Sequence, residues 1–167
     1  MGKNKTFKER YNGLIDVIEE ALHEHIESKD YGRALTIAED VAEKMYEDKR
    51  DVSNIFRFIA GMPLGTYLKN RKLEIAFSAK LKRKKLTWEE AGLMVYKDAA
   101  SFKSAFRREY NMSVREAEKD PGLVNLTKPL YLDSVMKREE AVMNCNTYIN
   151  KTAFTVFVNR KRVHSSE

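Results

Sequence analysis

Residues 86–110 read LTWEEAGLMVYKDAASFKSAFRREY, and this stretch decides the fold because it divides into two short helices joined by a tight turn. Thr87 and Glu90 form the S/T-x-x-E pattern of a capping box, in which each side chain satisfies an orphan N–H at a helix start. A helix is therefore expected from there to about Val95. Asp98 is placed to cap a second one in the same way. Within it, Phe102, Ala105 and Phe106 recur at helical spacing on one face, and Ala100, Lys103, Ser104 and Arg107 recur on the other. One face packs on a core and the other stays open.

An amphipathic helix alone is ordinarily a solvated surface helix. Fifty residues upstream, however, the pattern recurs: Val52, Ile55 and Phe56 stand where Phe102, Ala105 and Phe106 stand, with Arg50, Ser53, Asn54 and Arg57 opposite them. Ala42 and Ala91 mark the helix before each copy. A two-copy repeat of this kind predicts two helix-turn-helix units. Pro63 suits a helix start, and Leu64 to about Leu81 then forms the link between the units, with Tyr67, Leu68, Leu73, Ala76 and Phe77 docking it. The expected fold is an all-α core of two helix-turn-helix subdomains joined by a long linker helix, with a short C-terminal α/β tail. The divisions are a polar arm over 1–10, a first subdomain over 11–62, the linker helix over 63–82, a second subdomain over 83–120, and an extension of unknown role over 121–167.

A chain of 167 residues with 43% hydrophobic and 34% charged residues, seven Gly and three Pro has the profile of a helical globular protein rather than a disordered one. No apolar run approaches the roughly 20 residues of a membrane span, and MGKNKTFKER lacks the apolar centre of a signal peptide. A cytoplasmic location with no membrane partner is expected. The single cysteine, Cys145, forms no internal disulfide and offers no metal cluster. No nucleophile-and-base pairing or phosphate-binding glycine loop is legible, so neither an enzyme nor a cofactor is expected.

The net charge of +6 is unevenly spread. Residues 1–63 carry ten Lys and Arg against thirteen Asp and Glu, whereas residues 64–110 carry twelve against five. The basic surplus centres on Lys80, Lys82, Arg83, Lys84 and Lys85, a run able to neutralise phosphates with counterion release. A lone basic run is usually a solvated loop, but beside a helix-turn-helix it points to nucleic acid.

Elsewhere, Leu14, Ile15, Val17, Ile18, Ala21, Leu22 and Ile26 predict a long first helix, with His23 and His25 on different faces and both at the surface. Ser113 and Glu116 form a capping pair for a closing helix, and Pro121-Gly122 ends the part of the chain built on the repeat. Ser134 to about Met143 reads as helix, and residues 152–158, TAFTVFV, as a strand. An isolated strand is not stable, so this one needs a partner from residues 128–133 or from a second chain, the latter making a homodimer through the tail.

The order and spacing of these features resemble the DNA-binding domain of the AraC/XylS family. The resemblance covers roughly Gly13 to Lys119. It is carried by VAEKMYEDKRDVSNIFRFIAGMPLGTYLKNRKLEIA at 41–76 and LTWEEAGLMVYKDAASFKSAFRREYNMSV at 86–114, with Gly61-Met62, Tyr67-Leu68, Lys72-Leu73, Ala76, Tyr96, Asp98, Phe102, Phe106 and Asn111-Met112-Ser113 as its marks. It is closest in kind to members that consist of this domain without a fused sensor barrel. The resemblance implies a sequence-specific transcription regulator that binds double-stranded DNA in adjacent major grooves, with RNA polymerase as a further partner it could contact.

In such a regulator the base edges fall to Arg50, Ser53 and Asn54 in the first unit, and to Ala99, Ala100, Ser101 and Ser104 in the second. The phosphates fall to Lys49, Arg57, Lys82, Arg83, Lys84, Lys85, Lys97, Lys103 and Arg107. Arg and Asn carry the donor patterns that read guanine and adenine, while Ala and Ser offer little beyond contact with a thymine methyl, so the first unit should read and the second mostly hold. The chain departs from the family at Tyr46 and Val95, where a turn glycine is usual. Together with Glu47, Asp48 and Asp51, these departures support an alternative in which the helix-turn-helix is a scaffold for protein contacts with weak or no DNA readout.

Overall fold

Five of the helix starts in this protein are written by side-chain caps. The computed structural model describes residues 6–29 and 37–137, and among them every regular element is helical: α1 (Phe7–Ser28), α2 (Ile37–Met45), α3 (Lys49–Ala60), α4 (Leu64–Lys82), α5 (Trp88–Leu93), α6 (Ala99–Tyr110) and α7 (Val114–Lys119), followed by a short 3-10 turn at Pro121–Leu123. Capping boxes open α1 (Thr6 with Glu9), α5 (Thr87 with Glu90) and α7 (Ser113 with Glu116). Asp48 accepts from the Arg50 N–H at the start of α3, and Asp98 from the Ser101 N–H at the start of α6. Gly61 ends α3 in the left-handed conformation at φ 71°.

Thr6 and Glu9 also correct the polar arm expected over 1–10, since the box they form starts α1 inside it. The chain divides into a compact unit of residues 1–131 and a second unit from Leu132 on. In the second unit residues 132–137 are helical; most of the helix read to Met143, and the TAFTVFV strand, lie outside the described residues.

Two apolar cores are strung along α4. The first gathers Leu14, Ile15, Ile18 and Leu22 of α1 with Ile37, Val41, Val52 and Phe56, all buried. The second gathers Leu73, Ala76 and Phe77 with Trp88, Ala91, Val95, Phe102, Phe106 and Val114. Phe77 stacks on both Trp88 and Phe106, with ring centroids 5.4 and 5.2 Å apart, an arrangement that adds about 0.5–1.5 kcal/mol per pair to the burial itself. Gly92 lets α5 and α6 touch: a Cβ there would lie 3.0 Å from Phe102 Cδ1 and 3.2 Å from the Ala99 backbone.

The helix read as a linker is interior, with Asn70, Arg71 and Lys72 buried as well as its apolar residues. Buried charge needs partners. Arg71 donates to both carboxylate oxygens of Glu19 at 2.9 and 2.7 Å, to the Thr127 carbonyl at 3.0 Å and to Glu74. The Tyr67 hydroxyl donates to the same Glu19. Burial and that carboxylate push the Tyr67 phenol well above its ordinary range.

Three further expectations change. His25 is buried rather than at the surface, because it faces inward on α1, while His23 is exposed, its ring nitrogen 2.7 Å from the Glu19 carbonyl oxygen. Ile55, read as a packing residue, is 47% exposed. The buried stripe of α3 is narrow, Val52, Phe56 and Ala60, and Ile55 falls beyond its edge. Residues 121–131, the start of the extension of unknown role, belong to the compact unit: Val124 and Leu130 are buried there.

Candidate nucleic-acid interface

α3 and α6 each follow a shorter helix across a tight turn, and the two turns differ. Tyr46 sits in the left-handed region at φ 56° with its side chain 97% exposed. Val95 has no positive φ and is buried. The reason is one residue of length: six positions separate Ala42 from its cap Asp48, whereas seven separate Ala91 from Asp98. The longer turn closes through N–H bonds of Val95 and Tyr96 to the Gly92 carbonyl without left-handed backbone, so a bulky residue fits it.

With Val52 and Phe56 inward, α3 presents Arg50, Asn54 and Arg57 to solvent, with Ser53 half-buried beside them. Neither Arg50 nor Arg57 forms an ion pair among the described residues. Lys49, beside them, is held by Glu39 of α2 at 2.6 Å. With Phe102 and Phe106 inward, α6 presents Ala100, Ser101, Ser104 and Arg107. The Ser101 hydroxyl donates to Asp98 at 2.8 Å, so it is part of the cap rather than a free reader. Lys103 is held by Glu89 of α5, and Lys97 is exposed.

A shallow open depression on α6 is lined by Tyr96, Ala100, Ser101, Ser104, Ala105 and Arg108. Arg108 was not singled out from the sequence. The signal was there, because Ala100, Ser104 and Arg108 are spaced four apart and so share a face.

Between the two helix pairs lies the basic run. Lys82, Arg83, Lys84 and Lys85 are exposed and form no ion pair among the described residues. Lys80, one turn earlier, is instead held by Glu118 at 2.8 Å and lies over the Trp88 ring at 5.6 Å. Glu118 also accepts from the Trp88 indole at 2.7 Å, and these two donors hold its carboxyl below the ordinary range.

Among the described residues no group of His, Cys, Asp and Glu could hold a metal ion, and no helix is long and apolar enough to cross a membrane. Comparison with protein-family models, with curated proteins and with solved structures finds no match.

Proposed function

We propose that this chain is a sequence-specific DNA-binding transcription regulator of the AraC/XylS type, in which α2–α3 and α5–α6 are helix-turn-helix units that enter adjacent major grooves. The observation that carries this reading is the outer face of α3, where Arg50, Asn54 and Arg57 stand exposed on a helix fixed from behind by Val52 and Phe56. Guanidinium and amide groups match the acceptor and donor edges of guanine and adenine. The exposed run from Lys82 to Lys85, without an ion pair among the described residues, supplies sequence-independent attraction to phosphates. The spacing is also suitable: the nineteen residues of α4 span about 28 Å, and helix thickness brings this near the ~34 Å between successive major grooves on one face. On this reading α6 supplies thymine-methyl contact and backbone grip, the cytoplasm is the place of action, and RNA polymerase is a neighbour of the bound chain.

A second reading has its own observation. Tyr46 projects almost fully into solvent from a turn flanked in sequence by Glu43, Glu47, Asp48 and Asp51, and Ile55 of α3 is half-exposed. An aromatic group set among carboxylates suits a protein partner better than a phosphate backbone. One experiment separates the two: titration of the full chain against genomic fragments from its own neighbourhood at two salt concentrations. Regulation predicts a specific fragment bound far more tightly than the rest, with an affinity that falls steeply with salt. Equal, weak binding to every fragment, or none, favours the scaffold.

A further inference from the structure

Residues 124–131 tie together parts of the molecule that α4 already joins. Val124 packs in the second core, and Leu126 lies against it. Thr127 then offers its carbonyl to Arg71, at the middle of α4. Leu130 is buried and accepts at its carbonyl from the Tyr11 hydroxyl at 2.9 Å, near the start of α1. The Tyr131 hydroxyl reaches Asp16 of α1 at 2.8 Å. The segment therefore runs back along α4, from the core that holds α6 to α1, packed at its first end, bonded to Arg71 in its middle and bonded to α1 at its last end.

Although α4 is bonded to α1 through Glu19 and to α6 through Glu109, a single shared helix still leaves bending and twisting along its own length as the motions that change the angle between the two units. A second connection with three separate anchorages removes that freedom, because any change in the angle between the units must break a bond or expose Val124 or Leu130. Arg71 is central to this arrangement. Its guanidinium is spread over Glu19 of α1, Glu74 of α4 and Thr127 of the returning segment, so three segments are fixed by one planar group.

We propose that residues 124–131, anchored by Tyr11, Asp16 and Arg71, are a positioning strap that fixes the separation of α3 and α6, so that the chain accepts DNA whose two contact sites lie at one spacing. The consequence for DNA rests on the regulator reading; the mechanical part does not. The strap replaces deformation of the protein by a requirement on the DNA, which must match the spacing or bend to it.

The test uses the full chain carrying Cys145→Ser, with spin labels at Asp51→Cys on α3 and Arg108→Cys on α6. Dipolar spectroscopy reads the distance between them. The parent should give one narrow distance. A variant with Tyr11→Phe, Leu130→Ala and Tyr131→Phe, which keeps both rings but loosens the strap, should lose that single narrow peak while circular dichroism stays helical. If the triple variant melts below the working temperature, Tyr11→Phe with Tyr131→Phe is read in its place, with the same expectation. A peak as narrow in the loosened chain as in the parent would overturn the proposal, leaving α4 sufficient alone. A DNA arm separates the two readings: the unlabelled parent should prefer one spacing between half-sites and the loosened chain should lose that preference. Broadening of the distance with no specific DNA at any spacing would sink the regulator and leave the strap standing, whereas specific binding with an unbroadened distance would do the reverse.

Discussion

Tyr46 and Val95 occupy the same place in the two repeats, and the backbone treats them differently. Left-handed geometry costs a residue with a Cβ about 1–2 kcal/mol, and Tyr46 is in that geometry with its ring in solvent, so nothing it packs against offsets the cost. Tyr46→Gly should therefore raise stability by roughly 1 kcal/mol in thermal or denaturant unfolding. Val95→Gly should lower it by roughly 2–4 kcal/mol, because there the glycine relieves no positive φ and empties a buried site. If Tyr46→Gly destabilises instead, the ring has a partner that outweighs its backbone strain. The sequence announced that a non-glycine stood at each turn; it did not announce which turn would strain, since that depends on the extra residue between Ala91 and Asp98.

At the scale of elements, the starts of α1, α3, α5, α6 and α7 were all legible, because a cap is a local pattern of a side chain and an N–H two or three residues away. The caps at Thr87, Asp98 and Ser113 follow directly from the sequence, and Thr6 with Glu9 carries the same pattern at the start of α1. The assembly around α1 and α4 was not legible, because Glu19, Tyr67 and Arg71 meet across long sequence separations and a charged residue in a helix ordinarily reads as solvated. Residues 121–131 are illegible for the same reason, whereas the burial of His25 follows from its helical spacing to Ile18, Ala21 and Leu22. The buried tyrosines have a consequence at high pH. Burial pushes the Tyr11 and Tyr110 phenols up to about 12, and the Tyr67 phenol rises further through burial and its bond to Glu19. In the unfolded chain these groups ionise near pH ~10. The folded state therefore keeps protons that the unfolded state loses, so the stability they contribute is complete below about pH 10 and is lost as pH rises through the folded values. Melting temperature should fall between about pH 10 and 12, and Tyr11→Phe should shallow that fall; a flat profile over this range would show these phenols ionise freely in the native state.

Over the whole molecule, charge is divided between an acidic stretch over residues 1–63 and a basic one over residues 64–110, and the structure refines that division by showing which cations are already engaged. Lys49, Lys80 and Lys103 are held by Glu39, Glu118 and Glu89, while Lys82, Arg83, Lys84 and Lys85 are exposed. Replacing those four by Ala should weaken DNA binding about equally for all sequences and flatten its salt dependence by up to ~0.9 in slope per lost phosphate contact. An unchanged slope would make the run a solvated loop. Sequence preference, by contrast, should reside in α3. The most direct measurement is footprinting and titration of Arg50→Ala and Asn54→Ala on a specific site, with Ser104→Ala alongside. Each α3 variant should keep its helical fold, lose about 1–3 kcal/mol at the site and relax its preference at one or two base pairs, while Ser104→Ala changes little. A specific footprint that survives Arg50→Ala and Asn54→Ala with affinity and preference intact would contradict the assignment of α3 as the reading helix.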